Sequence, residues 1–328
     1  MLPLLFALLT VENGAVHITW DLNGGGLVNF HFKDNTLNPF TWEEKSSDPS
    51  HFRGHFICFD RWGAPSAAEL KNGMPFHGEA SRSVWRALGP NESSTQLPMA
   101  HLAVKRAVRL ESSAALVTET VTNEAPLGRV YNLVQHPTIA PPFLDETVVV
   151  DSNAKRGFMQ SGTMPNPEQP EVVWPQALKD GMPVNLRHLT NDPEPNVVSF
   201  VIDDDYGWTT AVNAAKGLLV GYIWSAREYP WFNVWRHVEN GKPAARGLEF
   251  GTTGLHQPYP ILTRKGRIFN RPLFEYLDAN ETITKRYEVF LLKIPANYTG
   301  TANIRKSGQN WQITGRNGTR LTIPNLLD

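Results

Sequence analysis

The sequence predicts an all-β protein built as a single large antiparallel β-sandwich. Apolar and polar residues alternate with a period of two along many segments, and β-branched residues are concentrated there. Charged residues interleave with apolar ones in several of these segments, which is typical of sheets with one face in water. Helical periodicity is scarce, and residues 66–72 are the best candidate for a short helix.

Each predicted strand is bounded by Gly, Asn, Asp or Pro, which interrupt sheet pairing. The clearest six strands cover residues 14–22, 102–112, 115–125, 197–204, 217–225 and 285–294. The start of the chain is apolar but too short to span a bilayer. Residues 8–20 are interpreted as a hairpin with Asn13 and Gly14 at its turn. A trimmed secretory signal is the alternative, so the compartment stays open.

Composition bounds the partners and the domain organisation. The chain has 328 residues, a net charge of −1 and one cysteine, so no general field attracts nucleic acid or an anionic membrane. We expect a monomer or weak dimer without a membrane span. Residues 1–296 are assigned to the sandwich domain, and residues 297–328 to a C-terminal hairpin extension of that domain. The Pro-rich residues 163–195 are expected to form an ordered rim loop that shapes substrate choice.

Several motifs are weak evidence for chemistry. Glycines 24–26 follow a strand without the Lys and Ser or Thr of a phosphate-binding loop, which favours a tight turn. His51 and His55 have the spacing of a zinc pair, but their region is not helical and lacks the HExxH pattern. Residues 203–205 are all Asp, without the oxygen ladder of a calcium loop. Cys58 lies in an apolar run and is expected to be buried. We therefore predict no metal site.

His136 occupies an unusual position. It ends the strand-like segment 131–136 and is followed by Pro137, Pro141 and Pro142. Because proline has no N–H and a fixed φ, we expect the strand to end at the histidine. An imidazole held at a strand end and stiffened by prolines is suited to acid–base chemistry.

Two further segments place polar residues among aromatics, glycines and prolines. One holds Arg61 and His77, and the other holds Trp235 and Glu249. Glu249 stands between two apolar residues, and burial raises the pKa of an unpaired carboxyl. Structural interpretations remain open for all of them: a histidine can pack at a strand end, tryptophans can form core, and Glu249 can pair with Arg246.

At these segments the sequence resembles the galactose mutarotase (aldose 1-epimerase) superfamily. "MPFHGEASRSVW" is similar to the family's HG-x-A-R…W segment, and "YNLVQHP" to the segment that carries its catalytic acid. "ARGLEFGTTG" is similar to the late strand that carries the catalytic base. The resemblance extends to about residue 294. Ser81 holds the place of the family's arginine, with Arg82 next, and "PTIAPP" replaces its aromatic-rich continuation, which indicates a divergent branch.

The resemblance implies a β-supersandwich and a sugar epimerase that needs no cofactor. His136 would be the acid and Glu249 the base, placed on opposite sides of the sugar. Arg61 and His77 would hydrogen-bond to hydroxyl groups, and Trp235 would stack on the apolar sugar face. The alternatives are a non-catalytic carbohydrate-binding protein and a polysaccharide-processing enzyme on the same fold.

Overall fold

Strands make up most of the chain in the computed structural model, which describes residues 8–45 and 51–328. The strands of the first half are β1 (Leu8–Glu12), β2 (Val16–Asp21), β3 (Leu27–Phe32), β4 (His55–Asp60), β5 (Arg86–Gly89), β6 (Glu92–Leu97), β7 (Leu102–Glu111), β8 (Ala114–Asn123), β9 (Arg129–Ile139), β10 (Val149–Ser152), β11 (Arg156–Met159), β12 (Val172–Val173) and β13 (Gln176–Lys179). Those of the second half are β14 (Met182–Asn185), β15 (Val197–Val201), β16 (Tyr206–Asn213), β17 (Leu218–Ser225), β18 (Trp231–Glu239), β19 (Lys242–Gly251), β20 (Arg267–Ile268), β21 (Arg271–Pro272), β22 (Glu275–Leu277), β23 (Thr282–Lys293), β24 (Thr301–Ser307), β25 (Asn310–Gly315) and β26 (Arg320–Pro324).

Helices are few and short. They are α1 (Ala67–Lys71), α2 (Tyr259–Lys265) and one 3₁₀ turn (Ala80–Arg82). The predicted helix at residues 66–72 is confirmed as α1, and Ser66 and Glu69 cap it reciprocally at its N-terminus. Within the described ranges, no helix is long and apolar enough to cross a bilayer.

Two antiparallel sheets form the sandwich. The eleven-stranded sheet has the order β1-β2-β3-β4-β9-β19-β18-β15-β11-β12, with β22 also paired to β9. The eight-stranded sheet has the order β10-β16-β17-β23-β8-β7-β6-β5. Apolar side chains from both sheets form one core, among them Leu133 and Phe250 from the larger sheet and Tyr222 and Val289 from the smaller. The predicted all-β antiparallel sandwich is confirmed.

The alternation of apolar and polar residues that predicted the strands matches the alternation of buried and exposed side chains along them. Along β7, buried positions alternate with partly or fully exposed ones through the first eight residues, because successive side chains point to opposite faces. Each of the six clearest predicted strands is present, as is the hairpin of β1 and β2. Cys58 is fully buried, as expected.

The expectation that a strand ends at His136 is wrong, because β9 continues to Ile139. Pro137 pairs with His55 of β4 on one side. On the other side, the pairing with β19 joins Thr138 to Gly247 and Gln135 to Phe250, and skips the two positions between them. A proline is tolerated inside a central strand where the ladder is interrupted, since the missing N–H is not needed there.

The C-terminal strands β24, β25 and β26 form a small sheet on the outer face of the eight-stranded sheet. Trp311 and Ile313 are buried there against Trp208 and Phe290. The Trp311 indole donates to the carboxyl of Glu288 at 3.1 Å. We propose that this small sheet belongs to the same folding unit as the sandwich, because its apolar face is buried only through that contact.

The Pro-rich residues 163–195 are tied into the core. Ala177 and Leu186 are fully buried in the main apolar cluster, next to the hairpin of β13 and β14. The buried Arg246 donates to the carbonyl oxygens of Leu186 and Arg187. These carbonyls therefore anchor the segment to the larger sheet through a buried guanidinium.

Candidate active site

A cavity of about 680 Å³ opens on the face of the larger sheet that is turned away from the core. Its walls come from strands β4, β9, β15, β18 and β19 and from the loops around them. Phe56 and Trp62 are buried in its floor, within a small aromatic cluster separate from the main core. The lining residues are Thr41, Trp42, Glu43, Glu44, Lys45, Phe52, Phe56, Trp62, Phe76, His77, His136, Ala140, Pro141, Val197, Trp235, His237, Glu239, Pro243, Ala244, Glu249 and His256.

His136 and Glu249 are in direct contact in this cavity. The register of β9 with β19 places them opposite each other on the two central strands, and His136 Nε2 lies 3.1 Å from Glu249 Oε1. Both side chains are buried, with exposures of 5% and 1%. Both groups reach the cavity from one face of the sheet in the ligand-free protein, because paired residues of neighbouring strands point to the same face.

The contact between the two groups requires one shared proton. His136 Nδ1 lies 2.9 Å from Thr138 Oγ1, and that hydroxyl donates to the His136 carbonyl oxygen. The hydroxyl oxygen must therefore accept from Nδ1–H, which leaves Nε2 of the neutral ring without a proton. A hydrogen bond between Nε2 and Glu249 then needs a proton on one of those two atoms.

Burial decides where that proton lies in the ligand-free protein. It lowers the pKa of His136 to about 3, and it raises the pKa of Glu249 well above its usual range. The Trp62 indole lowers the pKa of Glu249, but by less than burial raises it. Both shifts have the same physical cause, since a low-dielectric site disfavours charge on either group. Burial thus favours the uncharged form of each group, which places the shared proton on Glu249 and not on His136.

One oxygen of Glu249 is left for a ligand. Its Oε2 atom is buried and has no hydrogen-bond partner of normal geometry among the described residues. Leaving a buried polar atom unpaired costs about 1–3 kcal/mol, so such atoms in native proteins call for an explanation. A hydroxyl group in the cavity would satisfy it.

Packing fixes the imidazole of His136. Its ring stacks on Phe56, with centroids 4.1 Å apart and planes 20° apart. Phe56 is its direct partner on β4, and Trp235 lies edge-on at a centroid distance of 5.9 Å. Together with the bond to Thr138, these contacts hold the ring in one orientation, as acid–base chemistry requires.

Besides the exposed His237, two further histidines face the cavity. His77 has a left-handed φ of 60°, and its Nδ1 accepts from the Gly63 N–H at 3.0 Å. The neutral ring therefore carries its proton on Nε2 and can donate from that atom. Burial lowers the pKa of His77 well below its usual range and that of His256 to about 4. Among the described residues, no cluster of His, Cys, Asp and Glu is arranged to hold a metal ion.

Gly247 makes the contact between His136 and Glu249 possible. A Cβ at this position would lie 2.9 Å from Glu249 Oε1, 3.0 Å from Trp235 Cβ and 3.2 Å from His136 Cε1. The backbone of Gly247 is not in the left-handed region, so its role is to leave space. A side chain there would displace the atoms that the proposed chemistry uses.

Arg61 does not line the cavity, so the expectation that it binds a substrate hydroxyl is wrong. Its guanidinium pairs with Asp60 at 3.2 Å and with Glu69 at 2.7 Å, and it lies over the Tyr259 ring. Asp60 also pairs with Arg129. The guanidinium is therefore held in a buried network of paired charges and is not presented to the cavity.

The structure thus brings together four of the five predicted site residues, His77, His136, Trp235 and Glu249. Sequence reasoning missed Trp42, Phe56, Trp62, Gly247 and His256. Phe56 could have been suspected, because it lies in an apolar, aromatic-containing strand. The pattern of that strand could not show which of its faces lines a cavity. His256 lies in a Gly-rich loop and gave no periodic signal. None of residues 163–195 lines the cavity, so their assignment to a substrate-selecting rim is wrong.

Comparison with solved structures identifies the architecture. The galactose mutarotase related enzyme from Lactobacillus acidophilus aligns over 88% of this chain and 98% of its own, with a TM-score of 0.65 and 11% identity. The chain has the galactose mutarotase-like fold. Galactose mutarotase-like proteins from Lactobacillus casei and Clostridium acetobutylicum each align with a TM-score of 0.62 and 14% identity. These alignments cover 87% and 88% of this chain, and 100% and 95% of the respective relatives.

At this identity the likeness establishes the mutarotase-like fold and not the reaction. No protein-family model and no curated sequence matches the chain significantly. Function must therefore be argued from the cavity itself.

Proposed function

We propose that this protein is an aldose 1-epimerase-type enzyme that interconverts the anomers of a sugar without a cofactor. The observation that supports this most is the direct contact of His136 with Glu249, which holds a single transferable proton in an open, aromatic-lined cavity. A protein that only binds sugar has no need for an acid and a base that are matched in this way.

The geometry of the pair suits the chemistry of a hemiacetal. Opening the ring removes a proton from the C1 hydroxyl and delivers one to the ring oxygen. Both oxygens are bonded to the same carbon, so the acid and the base must be neighbours. A sugar that replaces the direct contact between His136 and Glu249 would place one oxygen at each group. After rotation about C1–C2, the reverse transfers close the ring on the other face.

The pair must carry one proton throughout. The family resemblance assigns the acid role to His136 and the base role to Glu249. In the ligand-free protein the proton lies on Glu249. Substrate binding must then either move that proton to His136 or use Glu249 as the acid for ring opening. Removing either group abolishes both routes.

Other lining residues would bind the sugar. His77 offers an Nε2–H donor and His256 a second imidazole, each suited to a hydroxyl group. Trp235 lies next to His136, where the C–H face of a pyranose could pack against it. Its indole is only half-buried, so it has surface available for this contact.

The test is to follow the equilibration of freshly dissolved single-anomer sugars by NMR, with the rate in water subtracted. Glu249→Gln keeps the shape of the side chain but cannot transfer a proton. We expect catalysed interconversion to fall by at least about 10²-fold, while sugar affinity changes far less.

Glu288→Gln is the matched control. Glu288 is also a buried carboxyl with a raised pKa, of about 7, but it lies under the C-terminal sheet and not in the cavity. Its substitution should leave interconversion unchanged. Binding without catalysis across neutral, acidic and phosphorylated sugars would replace the proposal with the non-catalytic carbohydrate-binding function.

A further inference from the structure

The cavity extends beyond the space that the reactive pair needs. Its volume of about 680 Å³ lies within the ~300–1,000 Å³ of pockets that enclose ligands larger than a single sugar ring. His136 and Glu249 occupy its buried part, whereas His237 and Glu239 line it where the side chains are exposed. The reactive pair thus lies at one end of a longer space.

That space follows strand β18. Trp235, His237 and Glu239 all line it, because alternate residues of a strand share one face. At about 3.3 Å per residue, these positions span ~13 Å, which is longer than one pyranose. Pro243 and Ala244 line the same stretch on β19, where the register with β18 shifts. Their short side chains leave the space above them open.

Aromatic rings form a platform along this outer stretch. Trp42 meets Trp235 edge-to-face at 5.5 Å, and Trp235 stacks on His237 at 5.6 Å with planes 11° apart. Trp42 and Trp235 are half-buried and His237 is exposed, so all three present surface to the cavity. Apolar C–H faces of sugar rings pack on such surfaces.

The charges of the lining disfavour acidic ligands. Three glutamates, Glu43, Glu44 and Glu239, lie at the exposed end, together with the single lysine Lys45. Among the described residues that line the cavity, none is an arginine. Phosphate and carboxylate groups are held in proteins by arginine forks, lysines or clustered backbone N–H groups. An acidic rim of this composition favours an uncharged ligand.

We infer that the ligand is a neutral reducing oligosaccharide. Its reducing ring would lie at His136 and Glu249. Its second ring would lie further out on the platform, against Trp42 and His237, with Trp235 between the two rings. The placement of the reducing ring rests on the proposed function, whereas the outer platform stands on its own geometry.

The experiment compares glucose and galactose with cellobiose, maltose, lactose and maltotriose. Binding is measured by calorimetry, and anomer interconversion by NMR. We expect at least one disaccharide to exceed its parent monosaccharide about tenfold in affinity and in kcat/KM. Glucose 6-phosphate should bind more weakly than glucose, because the described lining of the cavity offers its phosphate no arginine.

Variants separate the two ends of the cavity. Trp42→Ala should lower the ratio of disaccharide to monosaccharide kcat/KM about tenfold, the scale of one lost aromatic contact. His237→Ala is the second variant, for use if Trp42→Ala does not fold. It changes an exposed position and should also lower the ratio of disaccharide to monosaccharide kcat/KM. Tyr276→Ala is the control, because Tyr276 is an exposed aromatic that does not line the cavity.

The outcomes separate this inference from the proposed function. A disaccharide preference in binding that depends on Trp42, without any catalysed interconversion, supports the outer platform and refutes the proposed epimerase function. Catalysed interconversion of monosaccharides and disaccharides at equal kcat/KM, lowered equally by Trp42→Ala, refutes the platform and supports the epimerase function. Tightest binding of glucose 6-phosphate, or no binding of any oligosaccharide tested, also overturns the inference.

Discussion

Gly247→Ala is the sharpest single perturbation of the proposed site, because it adds one methyl group between the reactive side chains. The new carbon would lie 2.9 Å from Glu249 Oε1 and 3.2 Å from His136 Cε1. Normal contacts of this kind need about 3.5 Å, so the carboxylate must move by ~0.5 Å or more. Since a 1 Å misplacement can cost about 10²-fold, we expect kcat for anomer interconversion to fall ~10-fold.

The expected change in stability is small and can be measured separately. Overpacking costs about 1–3 kcal/mol, whereas replacing glycine restricts the unfolded chain and returns ~0.4–1 kcal/mol. The free energy of unfolding should therefore fall by about 1–2 kcal/mol in a denaturant titration. The protein then remains folded at the assay temperature, so that a loss of rate reports geometry.

Gly89→Ala is the matched control. Gly89, at the end of edge strand β5, has no heavy atom within 4 Å of the added carbon, and its φ is outside the left-handed region. The same chemical change should there leave stability equal or slightly higher and kcat unchanged. If Gly247→Ala retains the full rate while folded, the contact between His136 and Glu249 is not where the reaction takes place.

Three further predictions follow from the same contacts. Because the pair is active with one proton, catalysis declines as pH falls toward the His136 pKa of about 3 and as pH rises through the raised pKa of Glu249. A loss of rate as pH falls through about 6.5, the ordinary histidine value, would contradict the shared proton. Trp311→Ala should lower the free energy of unfolding by about 3–5 kcal/mol, whereas the exposed Tyr276→Ala should change it by no more than ~0.5 kcal/mol. Equal values would show that the C-terminal sheet is not part of the same folding unit as the sandwich. Leu186→Ala should cost about 2–5 kcal/mol without changing sugar preference, and an altered preference would restore the rim-loop interpretation.

The sequence by itself determined the secondary structure of most of the sandwich. Strands such as β7 and β8 expose one face to water, so their composition alternates and can be predicted without knowing their neighbours. Turn chemistry placed the hairpin at Asn13 and Gly14, and residues 66–72 were the best candidate for the short helix that is α1. These features depend on residues close together in the chain, and a linear pattern records them.

Strand β9 marks where local rules stop. Pro137 predicts a strand end, yet the strand continues because its pairing with β19 is interrupted at that point. Whether a missing N–H matters depends on the partner across the ladder, which is more than a hundred residues away in the chain. The same register places Glu249 beside His136, and no spacing in the sequence encodes that contact.

Tertiary structure also decided which polar residues reach the cavity. Arg61 and His77 lie in the same kind of segment. Arg61 forms ion pairs with Asp60 and Glu69, whereas His77 has a left-handed backbone and its ring lies next to His136. The period of two shows that a strand has two faces. Only the packing of the second sheet decides which face is core and which is left open to hold a ligand.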